Sequence, residues 1–244
     1  MVHRLGQIIR TTKRNAGRWV AESPSTRDRH LIWYQLKKSG LRWLWAGQYD
    51  ENFFADQENL KSAYKELSEI IFQQFRPVSV CDFGCGNGFL LSYLAKKGVE
   101  ASGVEGSSAA LKFIDPTIRD RIVVHDLTQP IDTGLHDLVI STEVAEHLPK
   151  KAAAQFVQNL VRSSSKTIVF TAAKPGQWGD GHINCQPQEF WIRLFTSVAW
   201  RHDSVASQRL TTAVKESSLL CETVPWIVNN FMVFVPDDTR PQQA

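Results

Sequence analysis

Short apolar runs alternate with amphipathic helical patterns from Val78 almost to the end of the chain, and few folds accommodate this alternation. The apolar runs are residues 78–83, 98–105, 121–126, 136–142, 166–173 and 229–235. Helical spacing of apolar residues occupies 88–97, 107–114, 150–163, 187–198 and 204–220. This repeat predicts an α/β fold with three layers, a doubly wound and mostly parallel sheet between helices on both faces. Right-handed crossovers then open a crevice at the carboxyl ends of the strands, where functional residues are expected.

The first part of the chain, residues 1–56, is basic and aromatic and lacks this alternation. We predict an N-terminal helical cap over residues 1–56, one α/β domain over residues 57–236 and a disordered tail over residues 237–244. Four aromatic residues of the cap are placed to form a lid over the crevice: Trp43, Trp45, Tyr49 and Phe53. Packing of the leading helix onto the sheet explains the same residues equally well.

The charge and the cysteine content restrict the partners and the compartment. The formal net charge is only +3, and most of the basic excess lies in the first 40 residues. This segment is either a contact for an anionic partner such as nucleic acid or a solvated surface, and the lack of a nucleic-acid motif favours the surface. The four cysteines form no CxxC pair, and no apolar stretch has the length of a signal peptide or a membrane span. We therefore expect a soluble cytoplasmic protein with reduced thiols.

A glycine-rich turn, DFGCGNG at residues 82–88, connects the first apolar run to the first predicted helix of the α/β region. Residues without a Cβ atom let the backbone approach a ligand closely. The spacing is GxGxG, with Gly84, Gly86 and Gly88 preceded by Asp82, and it lacks the GxGxxG pattern of dinucleotide sites. The turn therefore suits a ligand that presses against it without phosphate groups. A flexible turn with no ligand is the simpler alternative.

Acidic residues stand at the ends of the next two apolar runs. Glu105 ends the second run, where a carboxylate can accept hydrogen bonds from both hydroxyls of a ribose. Asp126 ends the third run, where a carboxylate can accept from an adenine amino group. Each acid alone is typical of a solvated strand end. Together with the glycine turn, they predict a nucleoside-containing ligand.

The combination of these motifs resembles the class I S-adenosylmethionine-dependent methyltransferases. The resemblance covers about residues 57–235 and rests on DFGCGNG (82–88), GVEGS (103–107), HDL (125–127), DLVISTEVAEHL (137–148) and VPWIVNNFMVFV (224–235). It implies a seven-stranded sheet with an antiparallel last strand, with Gly84 and Gly86 at the methionine part of S-adenosylmethionine, Glu105 at the ribose and Asp126 at the adenine. The cofactor-binding residues that it implies are Asp82, Gly84, Gly86, Gly88, Phe89, Glu105, Gly106, Ser107, Asp126, Leu127, Glu143 and Val144.

The segment after the fourth apolar run bears on the methyl acceptor. Enzymes that methylate amino groups of nucleic-acid bases often carry a (D/N)PP(Y/F) loop there, whereas this chain reads STEV at residues 141–144. We therefore expect an oxygen nucleophile, a hydroxyl of a small molecule or saccharide. Two alternatives remain: an RNA 2′-O-methyltransferase acting on a terminal diol, and a non-catalytic cofactor-binding scaffold.

The stretch STEVAEHLP places Glu143, Glu146 and His147 at i, i+3 and i+4, which brings three side chains to one face of a helical turn. A later glycine-rich loop presents His182. This pattern is similar to small-RNA 2′-O-methyltransferases and some ubiquinone-pathway O-methyltransferases, in which the corresponding residues hold a metal. It implies a divalent metal such as Mg²⁺ on these four residues, with catalytic roles for His182, His147 and Glu143. A metal-free site with His182 as general base, or a structural His182, is the alternative.

The loop around His182 also carries candidate acceptor contacts. Asn184 and Gln186 are placed to bind a polar substrate, while Trp178, Phe190 and Trp191 are placed to form apolar walls. Trp191 and Phe195, however, have helical spacing, and at least one of them is expected in the core.

Overall fold

The computed structural model describes residues 49–237 of the chain. The basic first 40 residues, Trp43, Trp45 and the predicted tail from residue 238 lie outside the described residues. No helix among the described residues is long and apolar enough to cross a membrane.

Seven strands form one sheet within residues 49–237, in the order β3-β2-β1-β4-β5-β7-β6. They are β1 Ser79–Phe83, β2 Glu100–Glu105, β3 Ile122–Val124, β4 His136–Ser141, β5 Ser164–Phe170, β6 Trp200–His202 and β7 Met232–Pro236. Strands β1 to β5 pair in parallel, and β7 runs antiparallel to both of its neighbours, β5 and β6. The predicted seven-stranded, mostly parallel sheet with an antiparallel last strand is confirmed.

The helices cover the sheet. They are α1 Glu51–Asp56, α2 Lys61–Phe75, α3 Phe89–Lys96, α4 Pro116–Arg119, α5 Ala153–Arg162, α6 Gln188–Thr196, α7 Ser204–Glu216 and α8 Ser218–Thr223. Two expected helices differ from the structure. The helix predicted over 107–114 is a 3₁₀ helix, Ser108–Lys112. The helix predicted over 204–220 is two helices, because the Ser217 side chain accepts a hydrogen bond from the backbone N–H of Leu220 and starts α8.

Two apolar cores lie on opposite faces of the sheet. Alternate residues of one strand enter different cores, since side chains alternate along a strand. In β4, Val139 packs with Phe156 of α5, whereas Ile140 packs with Leu91 of α3. This arrangement explains why the central strands read as continuous apolar runs, and it confirms the three-layer prediction.

Residues 49–56, which we assigned to the cap, pack against the described α/β body. Phe54 of α1 is buried in the core that also contains Leu67 of α2. The Asn87 side chain donates a hydrogen bond of 2.8 Å to the Phe54 carbonyl. The Ser107 hydroxyl donates one of 2.7 Å to the Tyr49 carbonyl. The segment is therefore attached to the two loops that follow β1 and β2.

Candidate active site

The glycine turn after β1 lies directly against the turn after β4. Gly84 has φ +78°, and a Cβ atom built there would overlap one Val144 methyl group and lie 3.0 Å from the other. Gly86 has φ +53°, and a Cβ atom there would meet nothing within 4 Å. Gly84 thus allows close packing between two loops, whereas Gly86 faces open space at the end of the sheet.

Glu105, at the end of β2, is nearly buried and joins two loops. One carboxylate oxygen accepts from the Gly86 N–H at 2.8 Å, and the other accepts from the Ser107 N–H at 2.9 Å. Burial raises the pKa of Glu105, while the N–H donors from residues 107 and 86 oppose that shift. Glu105 therefore holds the glycine turn and the next loop in register, with lone pairs remaining on both oxygens.

Asp82 lies beneath the glycine turn and is only 3% exposed. One of its carboxyl oxygens is buried without a hydrogen-bond partner among the described residues. Burial, and then the charge of Glu105, raises the pKa of Asp82 to about 8. The group is therefore mostly protonated near neutral pH.

The loop after β3 carries Asp126 and Leu127. Asp126 is exposed, and one carboxylate oxygen accepts from the backbone N–H and the hydroxyl of Thr128 at 2.9 and 2.7 Å. Leu127 is buried. Asn159, fully buried on α5, donates to the carbonyls of Leu127 and Gln129 at 3.3 and 2.8 Å. Our sequence reasoning missed Asn159, although a polar residue on the apolar face of a helix is a detectable signal.

Three other predicted cofactor residues lie just after β1 and β2. Phe89 begins α3 and is buried, with its ring centroid 6.4 Å from that of Tyr64. Gly106 has open space at its Cβ position, and Ser107 caps the following 3₁₀ helix.

The turn after β4 is not the helical turn that the spacing predicted. Its backbone makes i→i+3 hydrogen bonds, from His147 N–H to the Val144 carbonyl at 3.0 Å and from Leu148 N–H to the Ala145 carbonyl at 3.3 Å. Glu143 precedes the turn in the left-handed region, with φ +54°. Glu143 is absent from the group of ligand atoms that converge here, although its charge still acts on Glu146.

Glu146, His147 and His182 form one cluster. Each offers a ligand atom within 4.8 Å of those of the other two. The His182 Nε2 atom lies 4.0 Å from a Glu146 carboxylate oxygen, and the two imidazole centroids are 4.9 Å apart. The second Glu146 oxygen and His147 Nδ1 are buried and have no hydrogen-bond partner among the described residues. The structure thus brings together three of the four predicted metal ligands.

The ionisation of this cluster follows from its burial. Burial, and then the nearby His182, lowers the pKa of His147 to about 4, so His147 is neutral at pH 7. Burial, and then the charge of Glu143, raises the pKa of Glu146 well above its usual value. A buried carboxyl beside the neutral imidazole of His147 favours a cation or proton that enters between them.

The loop that carries His182 is anchored to the cluster. Backbone N–H groups of Ile183 and Asn184 donate to the Glu146 carbonyl, both at 2.9 Å. The Asn184 side chain donates to the Ala145 carbonyl at 3.3 Å, and Gln186 donates to Asn184 at 3.1 Å. Asn184 and Gln186 therefore support the turn in this structure, and a contact of either residue with a substrate stays a prediction.

The predicted apolar walls have different environments. Trp191 and Phe195 of α6 are both fully buried in the core beside Phe170, so the proposal of Trp191 as a wall of the acceptor site is wrong. Phe190 is partly buried against the same core. Trp178, in the loop before His182, is 84% exposed.

Glu143 belongs to a neighbouring network. Its backbone N–H donates to the Thr171 hydroxyl at 2.9 Å. Its two carboxylate oxygens accept from the side-chain amides of Gln177 at 3.0 Å and Asn230 at 3.1 Å. Gln177 and Asn230 were not predicted, and no motif in the sequence marks them.

Tyr49 reaches the cluster from the other side. Its ring makes an edge contact with His147 at a centroid distance of 5.8 Å, and its hydroxyl is buried without a partner among the described residues. Burial, followed by the charges of Glu146, Glu105 and Asp180, raises the pKa of Tyr49. The Tyr49 ring therefore contacts the imidazole cluster, and its role as a lid residue stays a prediction.

Comparisons with known proteins agree with this geometry. Residues 81–167 match a family model described as a methyltransferase domain. The chain is 36% identical over 126 residues to a probable chloroplastic tocopherol O-methyltransferase of Oryza sativa subsp. japonica, a match that covers 47% of this chain and 32% of the relative. The chain thus spans about a third of the length of this relative.

Two solved structures share the fold. A SAM-dependent methyltransferase from Archaeoglobus fulgidus has a TM-score of 0.54 at 14% identity, covering 76% of this chain and 99% of that one. The sugar N-methyltransferase KedS8 from Streptoalloteichus sp ATCC 53650 has a TM-score of 0.55 at 13% identity, covering 77% and 92%. The sheet order and the glycine turn therefore define a class I, Rossmann-like methyltransferase fold. Residues 81–167 match the methyltransferase domain model, and the predicted resemblance is confirmed.

Proposed function

We propose that this protein transfers a methyl group from S-adenosylmethionine to a hydroxyl oxygen of a small molecule or saccharide, with the help of a divalent cation. One observation carries the proposal: Glu146, His147 and His182 converge within 4.8 Å at the end of the sheet where the glycine turn packs on Val144. The cofactor region and the acceptor region are thus adjacent. Methyl transfer needs this adjacency because the donor carbon and the acceptor oxygen must lie in line.

The cofactor site is formed by the loops after β1, β2 and β3. The open space at Gly86 admits the amino-acid part of the cofactor, and Glu105, already bound to two backbone N–H groups, offers remaining lone pairs to the ribose. Asp126 is exposed at the adenine end. The cofactor supplies the electrophilic methyl group, so the protein must orient the acceptor and exclude water. The segment at Tyr49 and α1 covers this side.

The residues at the cluster fit a divalent cation. A carboxylate and two imidazoles are a common donor set for such ions, and two of these polar atoms are buried without partners. A bound divalent cation would supply a Lewis acid that lowers the pKa of the acceptor hydroxyl. Since its pKa is lowered by burial, His147 stays neutral and keeps a lone pair for the ion at neutral pH.

The hydrogen bond of His182 indicates which nitrogen is available. Its Nδ1 atom lies 3.1 Å from the Gln177 carbonyl, which can only accept. The proton of a neutral ring is therefore on Nδ1, and Nε2 presents a lone pair toward Glu146. That lone pair can bind a cation or accept a proton, and we assign it to the cation.

Two further observations support the proposal that the methyl acceptor is an oxygen atom. The chain reads STEV where base amino-methyltransferases often carry an aromatic (D/N)PP(Y/F) loop. The plant relative is named an O-methyltransferase, although the sugar enzyme of the same fold is named an N-methyltransferase. The RNA alternative depends on the basic first 40 residues, which lie outside the described part. The plant relative is named chloroplastic, and the cytoplasmic location expected for this protein stays a prediction.

A calorimetric titration with S-adenosylhomocysteine tests the cofactor site. We expect binding by the wild type and weaker binding by Asp126→Ala, with Asp132→Ala as a matched exposed acid that leaves binding unchanged. No binding by the wild-type chain would refute the proposed reaction.

The acceptor and the cation are tested separately. Purified protein is incubated with radiolabelled S-adenosylmethionine and panels of catechols, saccharides and short RNAs, with and without a chelator. We expect methylation of a non-nucleic-acid hydroxyl that chelator abolishes and Mg²⁺ or Mn²⁺ restores. Full turnover in chelator would reject the cation and leave His182 as a general base. Preferential, salt-sensitive methylation of RNA would replace the proposed substrate class.

A further inference from the structure

His182 is held in one orientation by the loop that precedes it. Its Nδ1 atom donates to the backbone carbonyl of Gln177, five residues earlier. A Cβ atom at Gly179 would overlap the Nε2 side of the ring and lie 2.7 Å from Cδ2. The imidazole is thus fixed by the hydrogen bond from Nδ1 to the Gln177 carbonyl, by a contact of 3.6 Å between Nδ1 and the Cys185 Sγ atom, and by close contact with Gly179, which has no side chain. The direction of Nε2 depends on where the Gln177 carbonyl lies.

The position of Gln177 is set in turn by two distant parts of the chain. Its side-chain nitrogen donates to Glu143 at 3.0 Å, and its side-chain oxygen accepts from Asn230 at 3.0 Å. The Asn230 amide nitrogen also lies 3.1 Å from the other Glu143 oxygen and 3.0 Å from the Trp226 carbonyl, so its two hydrogens are shared among three acceptors. Asn230 is buried, at 2% exposure. Glu143, Gln177 and Asn230 therefore form a closed triangle of hydrogen bonds.

We infer that Glu143, Gln177 and Asn230 form a clamp that positions His182, and that Glu143 acts through this clamp instead of binding the cation itself. The inference rests on the proposed function for the role of His182. Both carboxylate oxygens of Glu143 accept hydrogen bonds from amide donors, and Glu143 is not one of the three residues whose ligand atoms converge within 4.8 Å, although its charge still acts on Glu146. Glu143 and Asn230 are positioning residues because they act on His182 only through Gln177, and Gln177 positions the ring through its backbone carbonyl.

A clamp of this kind affects both the tautomer and the affinity for a cation. Partners that orient a ligating histidine fix which nitrogen carries the proton, and their loss typically weakens metal binding by about 10- to 100-fold. If the Gln177 carbonyl moves, the neutral ring can place its proton on Nε2, and that nitrogen then has no lone pair for a cation. Loss of the clamp therefore reduces the fraction of His182 that is competent to bind.

The first readout is the tautomer of His182 in the protein without ligands. Nitrogen-15 spectra of histidine-labelled protein distinguish Nδ1–H from Nε2–H rings, and His182→Asn assigns the signal. We expect Nδ1–H in the wild type and a mixture in Asn230→Ala. The adjacent Asn229→Ala is the matched control, because among the described contacts only its carbonyl accepts hydrogen bonds. Since Asn230 is buried and its loss can unfold the chain, Gln177→Ala, in the partly exposed loop, is the second clamp variant.

The second readout is the affinity for Mn²⁺ alone, followed by electron paramagnetic resonance. We expect it to weaken by about 10- to 100-fold in Gln177→Ala and Glu143→Ala, with no further loss in the double variant, because both changes open the same clamp. A large loss in Glu143→Ala beside wild-type affinity in Gln177→Ala would identify Glu143 as a direct ligand and overturn the inference.

The outcomes separate the clamp from the proposed function. If the wild type binds no Mn²⁺, the cation proposal fails, while the tautomer measurement still decides whether the clamp orients His182. If both clamp variants keep the wild-type tautomer, the clamp is rejected whatever the result for the metal.

Discussion

Two glycines of the same turn offer a sharp test, because the structure gives them different surroundings. Gly84 and Gly86 both have positive φ angles, of +78° and +53°. A methyl group on Gly84 would overlap Val144, whereas a methyl group on Gly86 would enter open space. We predict that Gly84→Ala mainly destabilises the fold, and that Gly86→Ala mainly prevents cofactor binding.

The magnitudes follow from two separate costs. Alanine in a left-handed conformation costs about 1–2 kcal/mol, and both variants carry this cost. Gly84→Ala adds a steric cost of about 1–3 kcal/mol, typical of an extra methyl group in a packed region. The free energy of unfolding should therefore fall by about 2–5 kcal/mol for Gly84→Ala and by about 1–2 kcal/mol for Gly86→Ala.

Urea unfolding and calorimetric titration with S-adenosylhomocysteine measure the two effects. The double variant Gly84→Ala/Val144→Ala should recover most of the steric cost, with Val144→Ala alone completing the cycle. Equal destabilisation by the two glycine variants, or no coupling between Gly84→Ala and Val144→Ala, would refute the packing argument. Unchanged ligand affinity in Gly86→Ala would show that the cofactor does not occupy the open space.

Three further predictions concern buried polar groups. Because the pKa of Asp82 is raised to about 8 in the folded state, the folded chain holds a proton between about pH 4 and pH 8 that the unfolded chain has released. Stability from this group therefore falls as pH rises through that window, by at most about 1.4 kcal/mol per pH unit, and Asp82→Asn should flatten the dependence in urea titrations. Tyr49→Phe removes a buried hydroxyl that lacks a hydrogen-bond partner among the described residues. The free energy of unfolding of the ligand-free protein in urea should therefore rise by about 1 kcal/mol, while methyl transfer falls. A loss of stability would mean that the hydroxyl is hydrogen-bonded. Asn159→Ala should lower the free energy of unfolding by about 2–3 kcal/mol and weaken S-adenosylhomocysteine binding, because the carbonyls of Leu127 and Gln129 lose their hydrogen-bond donor. Affinity equal to that of the wild type would show that this loop does not bind the cofactor.

Most of the fold could be predicted because the apolar patterns of its strands and helices are local features of the sequence. Strands buried on both faces read as continuous apolar runs, and the spacing between runs leaves room for crossover helices. Strand β6 was missed because Trp200–His202 is three residues long, and among them only Trp200 is buried. Its pairing comes from β7, which lies more than 25 residues later in the chain. A strand that depends on such a distant partner leaves no periodic signal.

The candidate site was only partly predictable. Acidic residues at strand ends were visible in the sequence, but the hydrogen bonds of Glu105 to Gly86 and Ser107 depend on how two loops meet. Asn184 shows the same limit, since its sequence position does not reveal that its side chain donates to the Ala145 carbonyl. The type of a side chain indicates which chemistry it can perform, whereas the group that it contacts depends on the tertiary structure.

The motif at residues 143–147 shows that the backbone conformation of one residue affects which of the predicted metal ligands converge. Spacing of i, i+3 and i+4 places side chains together only if the backbone is helical throughout. Here Glu143 is left-handed, and the turn after it is closed by i→i+3 bonds, so Glu146 and His147 still reach His182 while Glu143 turns toward Gln177 and Asn230. A left-handed residue other than glycine carries a conformational cost that the surroundings must offset. The hydrogen bonds of Glu143 to two amides and to the Thr171 hydroxyl offset that cost, which links the unusual backbone at residue 143 directly to the position of His182.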